Sequence, residues 1–454
     1  MPYGRPVRSL RLYSVFFVFI SLMAVIRPAE AQMGGMGGMG FGQAVGGISI
    51  DAEGIVGNLE PAALQSLADE RRDAVAKAGK LEAVQLRSVS LARLITAMQD
   101  ATKGKQLPVE AVFLGGLTRI THVFVDPEGH DIILAGPGDA ISIDAAGNAV
   151  GAASKQPLLH LEDFVAALRA IDGARAGGIQ CSIDPSAEGL TRLQAFLRTH
   201  RPTGPNADGF LREVEKTLGP QIVRVGGVPG DTRFARVLVA ADYRMKRIGM
   251  GLEPSGVPAL PSYLSMLSSG AAAALPRFWL EPSYDPISRD ADELAWRING
   301  RRMTCLTESD VLAKDGVKRG QGAADGVARK WCAAMTAQYD ALAARQPVFA
   351  ELVNCIDLAV VAALIQGRQL HERAGLDLSP LLDDQTIRLP AYEAATTVPT
   401  VATAQRKGNG WVIGASGGVK CQPWAFAAKT AEAGDLGDSR AAAVASRPDD
   451  AWLW

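Results

Sequence analysis

The sequence predicts an α+β fold: a mixed strand-helix region with hairpins, followed by a helix-rich C-terminal region. Three observations carry that prediction. Short β-branched runs ending in Asp and closing on a Gly-containing turn recur at GGISIDAEG (46–54), THVFVDPEG (121–129), AISIDAAG (140–147) and IQCSIDPSAEG (179–189). Segments with apolar residues at three- and four-residue spacing alternate with them, the pattern of amphipathic helices packed on sheets. Toward the C-terminus, VFAELVNCIDLAVVAALIQ is a nearly continuous apolar run of helical length.

The N-terminus stands apart from the fold. Arg5, Arg8 and Arg11 precede the uncharged apolar run Leu12 to Ile26, and Ala29-Glu30-Ala31 supplies a small-x-small cleavage signature. This is the layout of a secretory signal peptide over residues 1–31, and the run is short of the roughly 20 residues that cross a bilayer. The mature chain is expected to begin near Gln32, to be periplasmic or extracellular, and to have no transmembrane segment after cleavage. The whole chain carries −1; the leader holds four Arg and one Glu, so the mature chain carries −4. Its acidic and basic residues are balanced and interspersed, which argues against nucleic acid as a partner.

Residues 32–44, beginning QMGGMGGMGFG, are too glycine-rich to pack and are expected to be a linker. Met33, Met36 and Met39 offer soft thioethers, so Cu(I) binding is the alternative there, although no His or Cys stands nearby.

Residues 45–312 form the mixed region. In each strand-to-turn repeat Asp accepts backbone hydrogen bonds, Pro fixes φ and Gly supplies positive φ. The stretch 121–148 is therefore expected to fold as hairpins, with Asp131–Ala135 as a return strand. A calcium loop would need several carboxylates concentrated within one turn, and each turn here offers one or two. His122 and His130 are not at ligand spacing. Helices are expected at 62–79, 88–103, 161–171 and 189–198.

The most distinctive segment is QIVRVGGVPGDTRFARVLVAADYRMKRIGMGLE (221–253). Ile222–Val225 reads as a strand, Gly226–Gly230 as a loop, and Asp231 or Thr232 as the cap of a helix running to about Met250. Phe234, Val237, Leu238, Ala241, Met245 and Ile248 form one apolar stripe; Arg233, Arg236, Asp242, Arg244, Lys246 and Arg247 fall mainly off it. The candidate ligand-binding residues are Gly226, Gly227, Asp242, Tyr243, Lys246 and Arg247. The glycine loop matches no phosphate-binding fingerprint, and Asp231 would repel an anion at the helix start.

Beyond it, Tyr263, Phe278, Trp279 and Tyr284 are expected as packing aromatics, and 294–306 as a strand pair. Residues 313–326 (AKDGVKRGQGAADG) read as a polar loop or interdomain linker. The region 327–427 is expected to be helical with a short β element: helices at 327–344 and 348–370 broken at Gln346-Pro347, then a strand at 410–414. The second helix is interrupted by Glu351, Asn354 and Asp357, which favours a buried core helix over a membrane span. The tail, 428–454, has a disordered composition. Length alone suggests two or three domains.

No catalytic set emerges. Gly414-Ala415-Ser416-Gly417-Gly418 matches G-x-S-x-G, but the last histidine, His371, precedes Ser416, which excludes the α/β-hydrolase order. Tyr243 and Lys246 miss the Tyr-x-x-x-Lys spacing. No zinc spacing appears, and no cofactor is expected. Five cysteines leave one unpaired and allow at most two disulfides, which the sequence does not assign. Cys355, within the apolar run, reads as a small buried hydrophobe.

The blocks DTRFARVLVAADYRMKRIGMGLE (231–253), LPRFWLEPSYDP (275–286), PVFAELVNCIDLAVVAALI (347–365) and ASGGV (415–419) resemble an uncharacterised family of secreted planctomycete proteins, a domain of unknown function. VDPEGHDIILAGP (125–137) and CSIDP (181–185) resemble its earlier blocks, and the likeness runs from about Val45 to about Trp424. It implies export and one shared architecture, and it supplies no activity or catalytic residue. The expected function is a non-catalytic envelope or extracellular module that binds an unknown protein or a small-molecule ligand. An exported hydrolase of unrecognised type is the alternative.

Overall fold

The computed structural model describes residues 45–76, 79, 81–105, 107–200, 207–267, 275–313, 316–322, 326–404, 411–412, 414–449 and 451–454. The expected leader (1–31) and the expected linker (32–44), with Met33, Met36 and Met39, lie outside the described residues. Strands β1 (Val84–Ser90), β2 (His122–Asp126), β3 (Asp131–Gly138), β4 (Ile179–Pro185), β5 (Gln221–Gly226), β6 (Pro276–Ser283), β7 (Ile287–Arg289), β8 (Ala295–Arg297), β9 (Arg302–Ala313), β10 (Gly316–Gly322), β11 (Thr397–Val398), β12 (Ser416–Cys421) and β13 (Thr430–Glu432) build two sheets. The principal helices are α1 (Pro61–Val75), α2 (Leu91–Thr102), α3 (Leu161–Ala170), α4 (Ala187–Thr199), α5 (Ala207–Leu218), α6 (Arg233–Gly249), α7 (Gly326–Ala337), α8 (Pro347–Gly367) and α9 (Leu436–Ala445). The class is α+β.

One sheet runs β10-β9-β6-β12-β4-β5-β11, antiparallel except where β12 lies parallel to β6. The other runs β13-β7-β8-β2-β3-β1, with β13 parallel to β7. Two carboxylates of the 121–148 stretch, Asp126 and Asp144, serve its turns. Asp126 Oδ1 accepts the Gly129 N–H at 3.1 Å, and Asp144 Oδ1 accepts those of Ala146 and Asn148 at 2.8 Å. The aromatics expected to pack do so, with Phe278 against Trp331 at a centroid distance of 4.3 Å and against Tyr263 at 5.6 Å.

The described residues all fall within one compact unit. The reason is topological. Strand β12, from the C-terminal region, lies between β6 and β4 of the mixed region, so neither region can close the sheet alone. The expected linker at 313–326 holds the end of β9 and all of β10, paired as a hairpin. The expected disordered tail is replaced by β13, α9 and a terminal segment along the edge of β1. The Ser88 N–H donates to Trp454 O at 2.7 Å, the Trp454 N–H returns to Ser88 O at 3.0 Å, and the Ser90 N–H reaches Trp452 O at 2.9 Å. Its low-complexity composition concealed Leu436 and Ala443, which bury against Phe124 and Ile133. The helix expected at 327–344 breaks at Gln338, and α5 appears where no helix was expected.

Helix α6 sits between layers. One side lies on β4, β5 and β12, and the other meets α3 and α8. Helix α8 is long and apolar enough to cross a membrane, but it is enclosed by protein as a core helix.

Candidate functional site

The candidate site grows from the entry to α6. The Thr232 hydroxyl caps the helix by accepting the Ala235 N–H at 3.1 Å, one of the expected caps. Immediately upstream, Gly227 has φ of 81°. A Cβ there would sit 2.2 Å from the Gly178 carbonyl oxygen, so only glycine lets the chain leave β5 beside β4. Gly226 pairs with Gln180 inside the sheet. Both candidate glycines are thus used in packing backbone on backbone, and neither lines the pocket described below.

The charged residues of α6, expected mainly off the apolar stripe, are largely interior: Arg233, Arg236, Asp242 and Lys246 are all buried. A helix covered on both sides has little solvated face, so each buried charge needs a partner. Lys246 Nζ lies 2.8 Å from both oxygens of Asp242, and also donates to Ile183 O at 2.8 Å and Gly417 O at 3.1 Å. Burial pushes the Asp242 carboxyl up to about 7, with Lys246 pulling it back down.

Across the sheet the charges continue in alternation. The Gly417 N–H donates to Asp184 Oδ1 at 3.2 Å, and Arg277 lies 3.6 Å from the same oxygen. Arg277 Nε and Trp279 Nε1 then share Glu308 Oε1, at 3.2 and 3.0 Å.

Beside the Asp242–Lys246 pair is a cleft of about 130 Å³ between α6 and the β5 edge. Val56, Ile183, Met250, Leu252, Val398, Val401 and Ala415 supply its apolar walls, and Gln221, Tyr243, Lys246 and Arg247 its polar groups. The structure therefore gathers Tyr243, Lys246 and Arg247 at one cleft, with Asp242 buried behind Lys246. Arg247 is itself engaged, its Nε donating to Glu253 Oε2 at 3.1 Å, where Arg244 also pairs at 2.8 Å.

A second polar cluster occupies the other end of α6. Arg233 donates to Asp163, lies 3.2 Å from Glu351 and 4.0 Å from Glu162. The Tyr392 hydroxyl donates to Glu162 Oε2 at 2.6 Å, and His160 Nδ1 stands 3.8 Å from Glu162. Burial would lower Arg233, but Asp163, Glu351 and Glu162 together reverse this and raise it. Burial lifts all three carboxyls against the pull of Arg233, and holds the His160 imidazole neutral, well below its ordinary range. Sequence reasoning missed this cluster. Its one readable signal was Glu351 interrupting the apolar run.

Other expectations resolve plainly. Ser416 opens β12 and is buried within the sheet, and no sharp strand-to-helix turn presents it. The neighbouring glycines allow close strand packing, since a Cβ on Gly418 would meet the Cys181 carbonyl oxygen at 1.8 Å. All five cysteines are buried and unbonded, Cys355 among them. Among the described residues, no group of three or more His, Cys, Asp or Glu is arranged to hold a metal ion.

A family model described as "Protein of unknown function (DUF1598)" matches residues 181–263. The match runs from β4 through α4, α5, β5 and α6, and so contains both polar ends of α6 and the candidate loop. The blocks at 125–137, 275–286, 347–365 and 415–419 lie outside it. No curated protein and no solved structure matches the chain. Residues 181–263 constitute a domain of unknown function.

Proposed function

We propose that the protein is an exported, non-catalytic binding module whose cleft between α6 and the β5 edge receives a small apolar ligand. The observation that carries this reading is the state of Lys246. Its ammonium, at the wall of the cleft, already donates to Asp242, Ile183 O and Gly417 O, which takes up its three N–H bonds. What the cleft presents is mainly apolar wall, with Tyr243 and Gln221 among its polar lining residues. Its volume, about 130 Å³, is on the scale of an apolar cavity that holds a benzene-sized molecule (about 150 Å³). The Arg-rich start, apolar run and A-x-A of residues 1–31 support export.

Saturation-transfer NMR with benzene and indole as probes tests the site, comparing wild type with Val401→Trp, which fills the cleft from its partly exposed wall. Signals in the wild type that vanish in a folded Val401→Trp protein are expected. No binding by either probe, or binding that survives the substitution, overturns the site assignment. Turnover of ester, glycoside or peptide substrates that is lost in Asp242→Asn would replace the reading with an enzymatic one. Sequencing the N-terminus of protein recovered outside the cytoplasm tests export, with a start at Gln32 expected.

A further inference from the structure

Two of the five cysteines meet. Cys305, near the start of β9, and Cys332, on α7, bring their sulfurs to 3.3 Å in the core, 27 residues apart in the chain. A disulfide bond is about 2.05 Å long, so the pair stands about 1.2 Å from bonding distance. The surroundings hold this approach in place. The Cys305 N–H donates to Thr336 Oγ1 at 2.9 Å, and Thr336 lies one turn beyond Cys332 on the same face of α7. Strand and helix are thus pinned beside the sulfur contact. The other cysteines are placed differently. Cys355 Sγ lies 3.7 Å from an Asp163 oxygen, and Cys181 on β4 stands opposite Val419, two positions from Cys421.

We propose that Cys305 and Cys332 are a modification site, oxidised to an intramolecular disulfide that staples β9 and its hairpin partner β10 to α7. The oxidant is a disulfide-bearing thiol compound. One cysteine thiolate attacks it to form a mixed disulfide and release one thiol. The second cysteine then displaces the other. The protein loses two protons and two electrons, and the oxidant's sulfur-sulfur bond becomes two thiols. Burial and the adjacent Cys332 sulfur push the Cys305 thiol well above its ordinary range, so exchange is slow in the finished core. The bond forms while β9 and α7 are still docking, and afterwards is shielded from reductant. Cys181, Cys355 and Cys421 remain thiols, which accounts for the odd cysteine count.

The test refolds the full chain from its reduced, denatured state in glutathione and glutathione disulfide. Exchange is quenched with acid, free thiols are alkylated in denaturant, and the peptides are mapped. A linked pair carrying Cys305 and Cys332 is expected, with Cys181, Cys355 and Cys421 alkylated. Five alkylated cysteines, or a dominant link between any other pair, overturn the proposal. The unfolding midpoint of the oxidised protein should exceed that of protein refolded and held reduced, and that difference should be absent from the Cys305→Ser/Cys332→Ser double variant. Equal midpoints for the oxidised and reduced protein refute the staple even if the bond is found. Peptide mapping does not require the variant to fold.

Discussion

The two ends of helix α6 solve the same problem in different ways. At the N-terminal end, Arg233 is shared among Asp163, Glu351 and Glu162, which arrive from α3 and α8, with Tyr392 and His160 closing the cluster. At the other end, Asp242 and Lys246 are a local i,i+4 pair completed by backbone carbonyls of β4 and β12. The first joins three helices through one guanidinium. The second is nearly self-sufficient and stands at the wall of a cleft. A multi-element cluster depends on its hub, whereas in a simple pair either partner can neutralise itself when the other is lost.

That contrast can be broken by substitution. Arg233→Met leaves three buried carboxyls without their shared cation, and a loss of about 3–5 kcal/mol in urea unfolding is expected. A loss below about 1 kcal/mol would show that the carboxyls are already protonated and need no hub. Lys246→Met should cost less, about 2 kcal/mol at pH 8, because Asp242 can take up a proton. Most of that loss should disappear at pH 5, and an equal loss at both pH values would contradict the pair description.

The pH dependence sharpens the comparison. The Asp242 carboxyl stands at about 7 in the fold against 3.8 for the ordinary group. Between those values the folded state binds more protons than the unfolded one. Stability from this group is therefore present at low pH and lost as pH rises through about 7, with a slope of at most about 1.4 kcal/mol per pH unit. The wild-type midpoint minus that of Asp242→Asn should fall between pH 5 and 8; a flat difference would remove Asp242 as a titrating group. The smallest effect is expected at the rim of the cluster. Tyr392→Phe deprives Glu162 of one hydrogen bond and should cost about 1 kcal/mol at pH 7; no change would place that bond outside the energetics of the knot.

Local signals were well expressed in the sequence. The apolar stripe of α6, its Thr232 cap, the Asp-turn-Gly hairpins and the buried course of α8 all follow from short-range periodicity and turn chemistry. The candidate site was legible in part: Tyr243, Lys246 and Arg247 meet at one cleft, while Gly226 and Gly227 serve the backbone instead. Its other walls, Val56, Val398 and Ala415, come from distant parts of the chain that no spacing rule connects.

By itself the sequence determined the α+β class, most helices and strand turns, and the absence of an intact nucleophile-elbow order around Ser416. These depend on neighbours a few residues apart, whose geometry the chain carries with it. Only the tertiary structure decided that β12 would enter between β6 and β4, that the tail would pair with β1, and that the charges of α6 would turn inward. Periodicity shows which side of a helix prefers the core, not how many layers will cover it. With sheet on one side and helices on the other, α6 leaves little more than Arg244 and Arg247 partly open to water. Its charged residues were then paired by elements that chain separation had kept out of view.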